Sequence, residues 1–151
     1  MLFRSIDGGC QLLLNRLEEL RAKHRESNRP VCLISGGEFA CPVTGDGIGG
    51  RNLETALRLA RSPNFSSSEM VALCAGTDGI DGNSPAAGAM VDSTTMNRAN
   101  KIGLDAEDFL RRSDSYSFFV ALGDVVATGS TGTNVRDVRV LIANVGGDPE
   151  M

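Results

Sequence analysis

Apolar residues along this chain fall into short runs, separated by polar strings studded with glycine. Between residues 10 and 27, Leu13, Leu17 and Leu20 recur at i, i+4 and i+7 opposite charged positions, which predicts an amphipathic helix. Residues 1–9, ending in Gly8-Gly9, read as a flexible lead-in, and Asn28-Arg29-Pro30 stops the helix because the residue before proline disfavours it. Val31-Cys32-Leu33-Ile34-Ser35 and Met70 to Ala75 are continuous apolar runs of strand length, the pattern of buried strands. Glu38 to Thr44 reads as another strand after the Gly36-Gly37 turn. From Gly50 to Arg61, Leu53, Ala56, Leu57 and Ala60 share one helical face, and Ser62-Pro63-Asn64 ends that element. Ala86-Ala87-Gly88-Ala89 allows tight packing, and Asp92 or Ser93 caps a helix reaching about Ile102, with Gly103 beyond its end. Asp105 caps a short helix to Arg112, and Asp114 or Ser115 another through Leu122, with Gly123 at its stop. Val125 to Thr128 and Val138 to Ala143 are the last strands, and residues 146–151 read as a frayed tail.

Strands alternating with helices predict an α/β fold: a layered sheet of about five or six strands, mostly parallel or mixed, flanked by helices. At 151 residues the chain suits one domain able to bury roughly 70% of its unfolded surface. Residues 1–29 are the lead-in and first helix, and 30–151 the α/β domain itself. Phe118, Phe119 and Leu122 are expected in the core, with Met70, Met90 and Met96 as filler and Cys32 and Cys74 as small buried hydrophobes.

Charge and cysteine usage remove several function classes. The net charge is −4, and the basic residues between Arg16 and Arg29 are interleaved with Glu18, Glu19 and Glu26, so there is no basic stripe for nucleic acid. No apolar stretch approaches the ~20 residues of a membrane span. Charges break Met1 to Asp7 too early for a secretory h-region. Cys10, Cys32, Cys41 and Cys74 form no C-x-x-C pair, and His24 is the sole histidine, so a zinc site is not expected and a reducing, cytoplasmic setting is.

The chemistry lies in three glycine-rich loops, each following a predicted strand, at the strand ends where ligands gather in open α/β sheets. Backbone N–H groups of such turns form concavities for anions. The first loop, Gly45 to Asn52, places Gly49 and Gly50 at a helix N-terminus, with Arg51 offering a two-pronged fork to phosphate or carboxylate. Asn52 is a further candidate contact, and Glu54, one turn on, either contacts ligand or pins Arg51 or Asn52. Gly45, Gly47 and Gly50 also satisfy G-x-G-x-x-G, but the acidic residue required about 20 positions on fits poorly, which argues against a dinucleotide fold. The second loop, Gly76 to Gly82, carries Thr77, Asp78 and Asp81; its carboxylates suit Mg²⁺, a substrate hydroxyl proton, or their own turn backbone. The third, Thr128 to Asn134, offers Thr131, Gly132, Thr133 and Asn134 to an anion and is not a Walker A loop, since no Gly-Lys-Ser/Thr follows. Asp137 either buttresses Arg51 or caps the last strand.

Taken together and in this order, these strings resemble the C-terminal (MOFRL) domain of the glycerate 2-kinases. The matching segments are Ser35-Gly36-Gly37-Glu38, Gly47 to Glu54, Gly76 to Gly82 with Ala86 to Ala89, Asp114-Ser115-Tyr116 and Thr128 to Val135. The resemblance runs from about Pro30 to Asn144. It implies phosphoryl transfer from ATP to a hydroxyl of D-glycerate with Mg²⁺, in a cleft between two domains of which this chain is similar only to the second. Some members are described as hydroxypyruvate reductases. On this basis Arg51 and Asp78 are the expected catalytic residues, with Asp78 the candidate Mg²⁺ ligand. Gly49, Gly50, Asn52, Glu54, Thr77, Asp81, Thr131, Gly132, Thr133 and Asn134 are the expected substrate or phosphate contacts. The partner implied is a missing N-terminal kinase domain, and the leucine stripe of the first helix either pairs with a second copy or covers the sheet. The sequence departs from the family pattern at Leu53, Ser113, Ser130 and Arg136, where glutamine, asparagine, proline and asparagine are usual. A non-catalytic metabolite- or partner-binding module, and an NAD-dependent hydroxypyruvate reductase, remain as alternatives.

Overall fold

A computed structural model describes residues 4–145. The elements in chain order are β1 (Arg4–Ser5), α1 (Ile6–Lys23), β2 (Val31–Gly36), β3 (Phe39–Ala40), α2 (Arg51–Arg61), α3 (Pro63–Ser66), β4 (Met70–Gly76), β5 (Gly88–Asp92), α4 (Thr95–Lys101), α5 (Ala106–Arg111), α6 (Ser115–Leu122), β6 (Val125–Val126) and β7 (Asp137–Ala143). Five strands form one sheet in the order β2-β7-β4-β5-β6, and β1 pairs with β3 in a separate two-stranded ribbon.

The α/β layering is as the sequence predicts, but the strand directions carry a surprise. Every ladder of the large sheet is antiparallel, and parallel pairing is confined to β1 and β3. The reason is an unforeseen strand. The Ala86 to Ala89 segment, expected only to pack tightly, leads into β5, which folds back on β4 as a long hairpin with Ala75 opposite Gly88 and Val71 opposite Asp92. β7 then inserts between β2 and β4 and pairs with both.

Several boundaries move. Residues 6–9 are not lead-in: Ser5 Oγ accepts the Gly8 N–H at 3.2 Å, so α1 begins at Ile6 and carries Gly8-Gly9 within its first turn. It ends at Lys23, and Arg25–Ser27 form a 3₁₀ turn instead of a last helical turn. The strand expected from Glu38 to Thr44 shrinks to Phe39–Ala40. Asp105 caps α5 through the Glu107 N–H, and Gly123 ends α6 at φ +75°, both as expected. Residues 1–3 and the predicted tail 146–151 lie outside the described residues.

All the large helices lie against one face of the sheet. There Leu13, Leu14 and Leu17 of α1 and Leu53, Ala56, Leu57, Leu59 and Ala60 of α2 meet Ala72, Cys74, Ala89, Val91, Leu141 and Ala143 in one core. The first helix is therefore built into the domain, and its leucine stripe covers the sheet, with Leu20 at its partly exposed margin. Phe118 stacks edge-on to both Phe109 and Phe119 beneath α2.

The opposite sheet face is bare among the described residues. Register places Ile34, Val140, Leu73 and Met90 in one row across four strands, and Cys32, Ile142 and Val71 in the next. Ile34 is 71% exposed, and Met90, Ile142 and Val71 are also open. Two expectations fail on this face: Cys32 and Met90 are exposed, not core. A continuous apolar run signals strands fit for burial on both faces, and here only one face is covered.

Leu57 is fully buried at the centre of α2. Truncation to alanine is expected to cost about 2–5 kcal/mol, the range for a large-to-small change in a packed core. Urea unfolding of Leu57→Ala measures it; a loss under 1 kcal/mol would mean that α2 is not the keel of this core.

Candidate functional site

The site grows from the N-terminus of α2. An eleven-residue helix leaves its first N–H groups without intrahelical partners. Gly50 occupies the N-cap with no side-chain hydroxyl to offer, and Asp81 of the second loop takes that role across the chain. Its Oδ1 accepts the Asn52 N–H at 3.1 Å and the Asn52 Nδ2 at 3.0 Å, and its Oδ2 accepts the Leu53 N–H at 2.8 Å. A side chain at position 50 would have its Cβ 2.4 Å from the Asp81 carboxyl carbon, so only glycine permits the contact. Asp81 is 2% exposed. Burial pushes its carboxyl above the usual carboxylate range, and the three donated hydrogen bonds pull it back only partway.

The first loop is clasped from two further sides. Asn83 accepts the Gly49 N–H at 2.9 Å and donates to the Gly47 carbonyl at 3.2 Å. Asp114 does not cap its own helix backbone. Its Oδ1 instead accepts the Ile48 N–H at 3.0 Å and the Ser117 hydroxyl at 2.7 Å, while Arg112 donates to Oδ2 at 2.8 Å. Burial works to raise the Asp114 pKa, but these three bonds outweigh it and hold the carboxyl below its ordinary value.

Between these clasps opens a pocket of about 360 Å³, lined by Phe39, Cys41, Val43, Gly47, Gly49, Gly50, Arg51, Glu54, Gly82, Asn83 and Ser113. Arg51 stands at its edge with a side chain 38% exposed. Its Nε donates to Asp137 Oδ2 at 2.6 Å and its Nη2 to Asp137 Oδ1 at 3.2 Å, a side-on fork; Nη2 also reaches Glu38 Oε1 at 3.0 Å. The hydrogen bond to Asp137 raises the Arg51 pKa further, so the guanidinium is permanently charged. Asp137 thus buttresses Arg51, one of the two roles foreseen for it. Glu54 pins neither Arg51 nor Asn52: it accepts from Arg58 Nε and Nη2 at 3.1 and 2.7 Å and from the Cys41 thiol at 3.2 Å. Burial and the adjacent Glu54 push the Cys41 thiol up to about 12, so at neutral pH it is an inert wall of the pocket.

The second and third loops are stitched to each other outside this pocket. Thr131 Oγ1 donates to the Thr77 carbonyl at 2.6 Å, and the Thr131 N–H to the Asp78 carbonyl at 3.1 Å. Thr77 Oγ1 donates to the Arg136 carbonyl at 2.7 Å and accepts the Val135 N–H at 2.9 Å. The loops touch so closely at Gly79 that an added Cβ would lie 1.9 Å from the Gly129 carbonyl oxygen. Asp78 Oδ1 accepts the Ile80 N–H at 3.2 Å, closing its own turn, and Asn134 Oδ1 does the same for Arg136. Thr131, Gly132, Thr133 and Asn134 are all exposed. Of the expected site residues, Gly49, Gly50, Arg51 and Glu54 line the pocket, whereas Thr77, Asp78 and Thr131 to Asn134 form a separate polar rim. Asn52 is 1% exposed and turned inward to Asp81. The two residues Asn52 and Asp81, expected to face ligand, are therefore committed to joining the loops.

Nothing in the sequence alone gives a role to Asn83, Phe39 or Cys41, and the place of Arg139 emerges from the fold. Arg139 is fully buried, donates through Nη2 to the Gly36 and Gly37 carbonyls at 2.9 and 2.7 Å, and lies 3.9 Å over the Phe39 ring. The signal was present: a lone arginine in the otherwise apolar run Val138 to Ala143. No group of three or more His, Cys, Asp or Glu side chains able to hold a metal exists among the described residues.

The MOFRL family pattern matches residues 31–137. D-glycerate 2-kinase of Thermotoga maritima is 43% identical over 125 residues, covering 82% of this chain and 30% of that enzyme. Human glycerate kinase is 41% identical over 133 residues, covering 83% and 25%. A protein of Agrobacterium vitis named as a hydroxypyruvate reductase is 43% identical over 115 residues, covering 75% and 30%. Among solved structures, the Thermotoga maritima glycerate kinase superimposes with a TM-score of 0.83 at 35% identity, over 94% of this chain and 34% of that one. The chain thus spans about a third or less of the length of these relatives.

Asp114 supplies a test of how the first loop is held. Because its folded pKa is depressed, ionised Asp114 stabilises the fold above about pH 4 and loses that contribution as pH falls through its folded pKa. Asp114→Asn is expected to lose about 1–2 kcal/mol at pH 7 and much less at pH 3. Urea unfolding at the two pH values measures the difference, and equal losses would remove the carboxylate from this role.

Proposed function

Because the chain belongs to the MOFRL family, we propose that it works as the C-terminal domain of a glycerate 2-kinase, contributing one wall of a cleft in which ATP phosphorylates D-glycerate. The observation that carries this reading is Arg51. Its inner edge is locked to Asp137, its outer end lines a preformed pocket, and Nη1 makes no hydrogen bond among the described residues. Phosphoryl transfer demands positioning and neutralisation of charge more than covalent chemistry from the protein. A fixed guanidinium beside a glycine-rich helix start supplies both, to a substrate carboxylate or a nucleotide phosphate.

The residues fit Mg²⁺ only in part. Asp78 can give one carboxylate, and the described residues hold no cluster that would complete a cage. That suits an ion whose other ligands are phosphate oxygens and water. When bound, such an ion would neutralise phosphate charge; Asp78 would orient it or the attacking hydroxyl, and the N–H groups of Gly129, Ser130 and Gly132 would face an anionic group, those of Thr131 and Thr133 being held within the rim. The bare sheet face and the share of the relatives left uncovered both favour a second domain that completes the cleft.

The reductase reading gains one relative's name but little from the geometry. The glycines of G-x-G-x-x-G face protein: a Cβ on Gly47 would meet Asp114 and one on Gly50 would meet Asp81, so neither is reserved for a pyrophosphate. A cytoplasmic setting accords with the free cysteines.

Calorimetric titration of the chain with ATP-Mg²⁺, D-glycerate and NADH separates the readings. Binding of ATP-Mg²⁺ or glycerate, weakened by about 1–3 kcal/mol in Arg51→Ala, is the expected outcome. Turnover is expected to require the N-terminal domain of a relative supplied in trans. Binding of NADH alone would overturn the kinase reading in favour of the reductase. Binding without turnover after the second domain is supplied would leave a non-catalytic module.

A further inference from the structure

A planar guanidinium presents two bidentate faces: a side face made by Nε–H and one Nη2–H, and an end face made by the other Nη2–H and Nη1. In Arg51 the two faces meet different carboxylates. Asp137 takes the whole side face with both oxygens, at 2.6 and 3.2 Å. It opens β7 and its side chain is 2% exposed, so it is fixed scaffold. Glu38 takes half of the end face, through one oxygen on Nη2 at 3.0 Å. Its side chain is 31% exposed and it sits on the short turn after Gly37, whose φ is +80°. The inner carboxylate is built in, and the outer one is held by a single contact.

This asymmetry decides what the end face can accept. An oxyanion binding there with two hydrogen bonds needs the Nη2–H that Glu38 holds. It also meets one positive charge already offset by two negative ones. We propose that Glu38 is a displaceable placeholder on Arg51, a specificity-determining residue that admits an incoming carboxylate or phosphate only when that anion can take over its contact. The turn allows the exchange without unfolding anything. Arg139 donates to the carbonyls of Gly36 and Gly37 and packs on Phe39, so the backbone on both sides of Glu38 stays pinned while the glutamate side chain swings. Weakly competing anions are refused because Glu38 outcompetes them locally, and a ligand with further contacts in the pocket is not.

The inference rests on the reading of Arg51 as an anion ligand, and one experiment separates the two. The Arg51 Nε–H resonance, assigned by its loss in Arg51→Met, is followed by NMR while the chain is titrated with inorganic phosphate or with D-glycerate at ionic strength matched by chloride. Neutralising Glu38 keeps its size and removes the competing charge. Glu38→Gln is therefore expected to bind at least one of the two anions about fivefold or more tightly than the wild type, on the scale of a partly exposed ion pair. Its Nε–H signal without ligand should be retained, because Asp137 still holds it. The anion with the larger gain is the chemistry that the end face receives. If Glu38→Gln binds neither anion more tightly while other resonances of the pocket show that Arg51→Met abolishes binding, the placeholder role is wrong and the Arg51 reading stands. If Arg51→Met leaves binding unchanged, or no variant binds either anion, both fall.

Discussion

One buried carboxylate holds the polar end of this domain together. Asp81 reaches from the second loop to the start of α2 and satisfies two backbone donors that would otherwise face the protein interior unpaired. A helix N-terminus carries partial positive charge, which compensates a carboxylate there even with little water. The same contact requires glycine at position 50 and brings Gly82 against Gly49. The first loop, which lines the pocket, is thereby fixed to the second, which belongs to the separate polar rim. Those donors are spent on architecture, and Arg51 stands at the edge of the pocket with its side chain 38% exposed.

Electrostatics around Arg51 are correspondingly balanced. The arginine is oriented by Asp137 and Glu38, Glu54 is neutralised by Arg58, and Arg139 lies buried with carbonyls and an aromatic ring in place of a carboxylate. Burial depresses the Arg139 pKa, and one of its nitrogens, Nε, has no hydrogen-bond partner among the described residues. A buried charge is retained where its directional hydrogen bonds define geometry that an apolar side chain would leave loose. Here that geometry is the Gly36-Gly37 turn, on which Glu38 is carried, and the ring of Phe39, which walls the pocket.

The large sheet has two unlike faces. One is sealed by α1 and α2, and the other presents Ile34, Val71, Met90 and Ile142 to solvent. Antiparallel sheets that stand alone usually put polar residues on the open side. The Thermotoga maritima glycerate kinase carries the same fold over 34% of its own chain.

Much of this was legible in the chain. The helix over residues 51–61, the strand from Met70, and the caps at Asp105 and Gly123 all follow from local periodicity and turn chemistry. Family membership follows from the polar strings, because long runs of unusual residues at fixed spacing are specific where apolar patterns are not. Other features were decided only when the chain closed on itself. β5 was hidden because a glycine- and alanine-rich segment has no strand signature until β4 is there to pair with it. Cys32 and Met90 were misplaced because a continuous apolar run says that both faces of a strand suit burial, not that both are covered. Asp78 and Asp81, three residues apart on one turn, look alike in sequence. Only contacts across 29 positions of chain make Asp81 a strut and leave Asp78 half-exposed at the rim. Local sequence sets which conformations and hydrogen bonds a residue can adopt. Which partner finally claims each donor and acceptor is a long-range competition, and the tertiary structure alone resolves it.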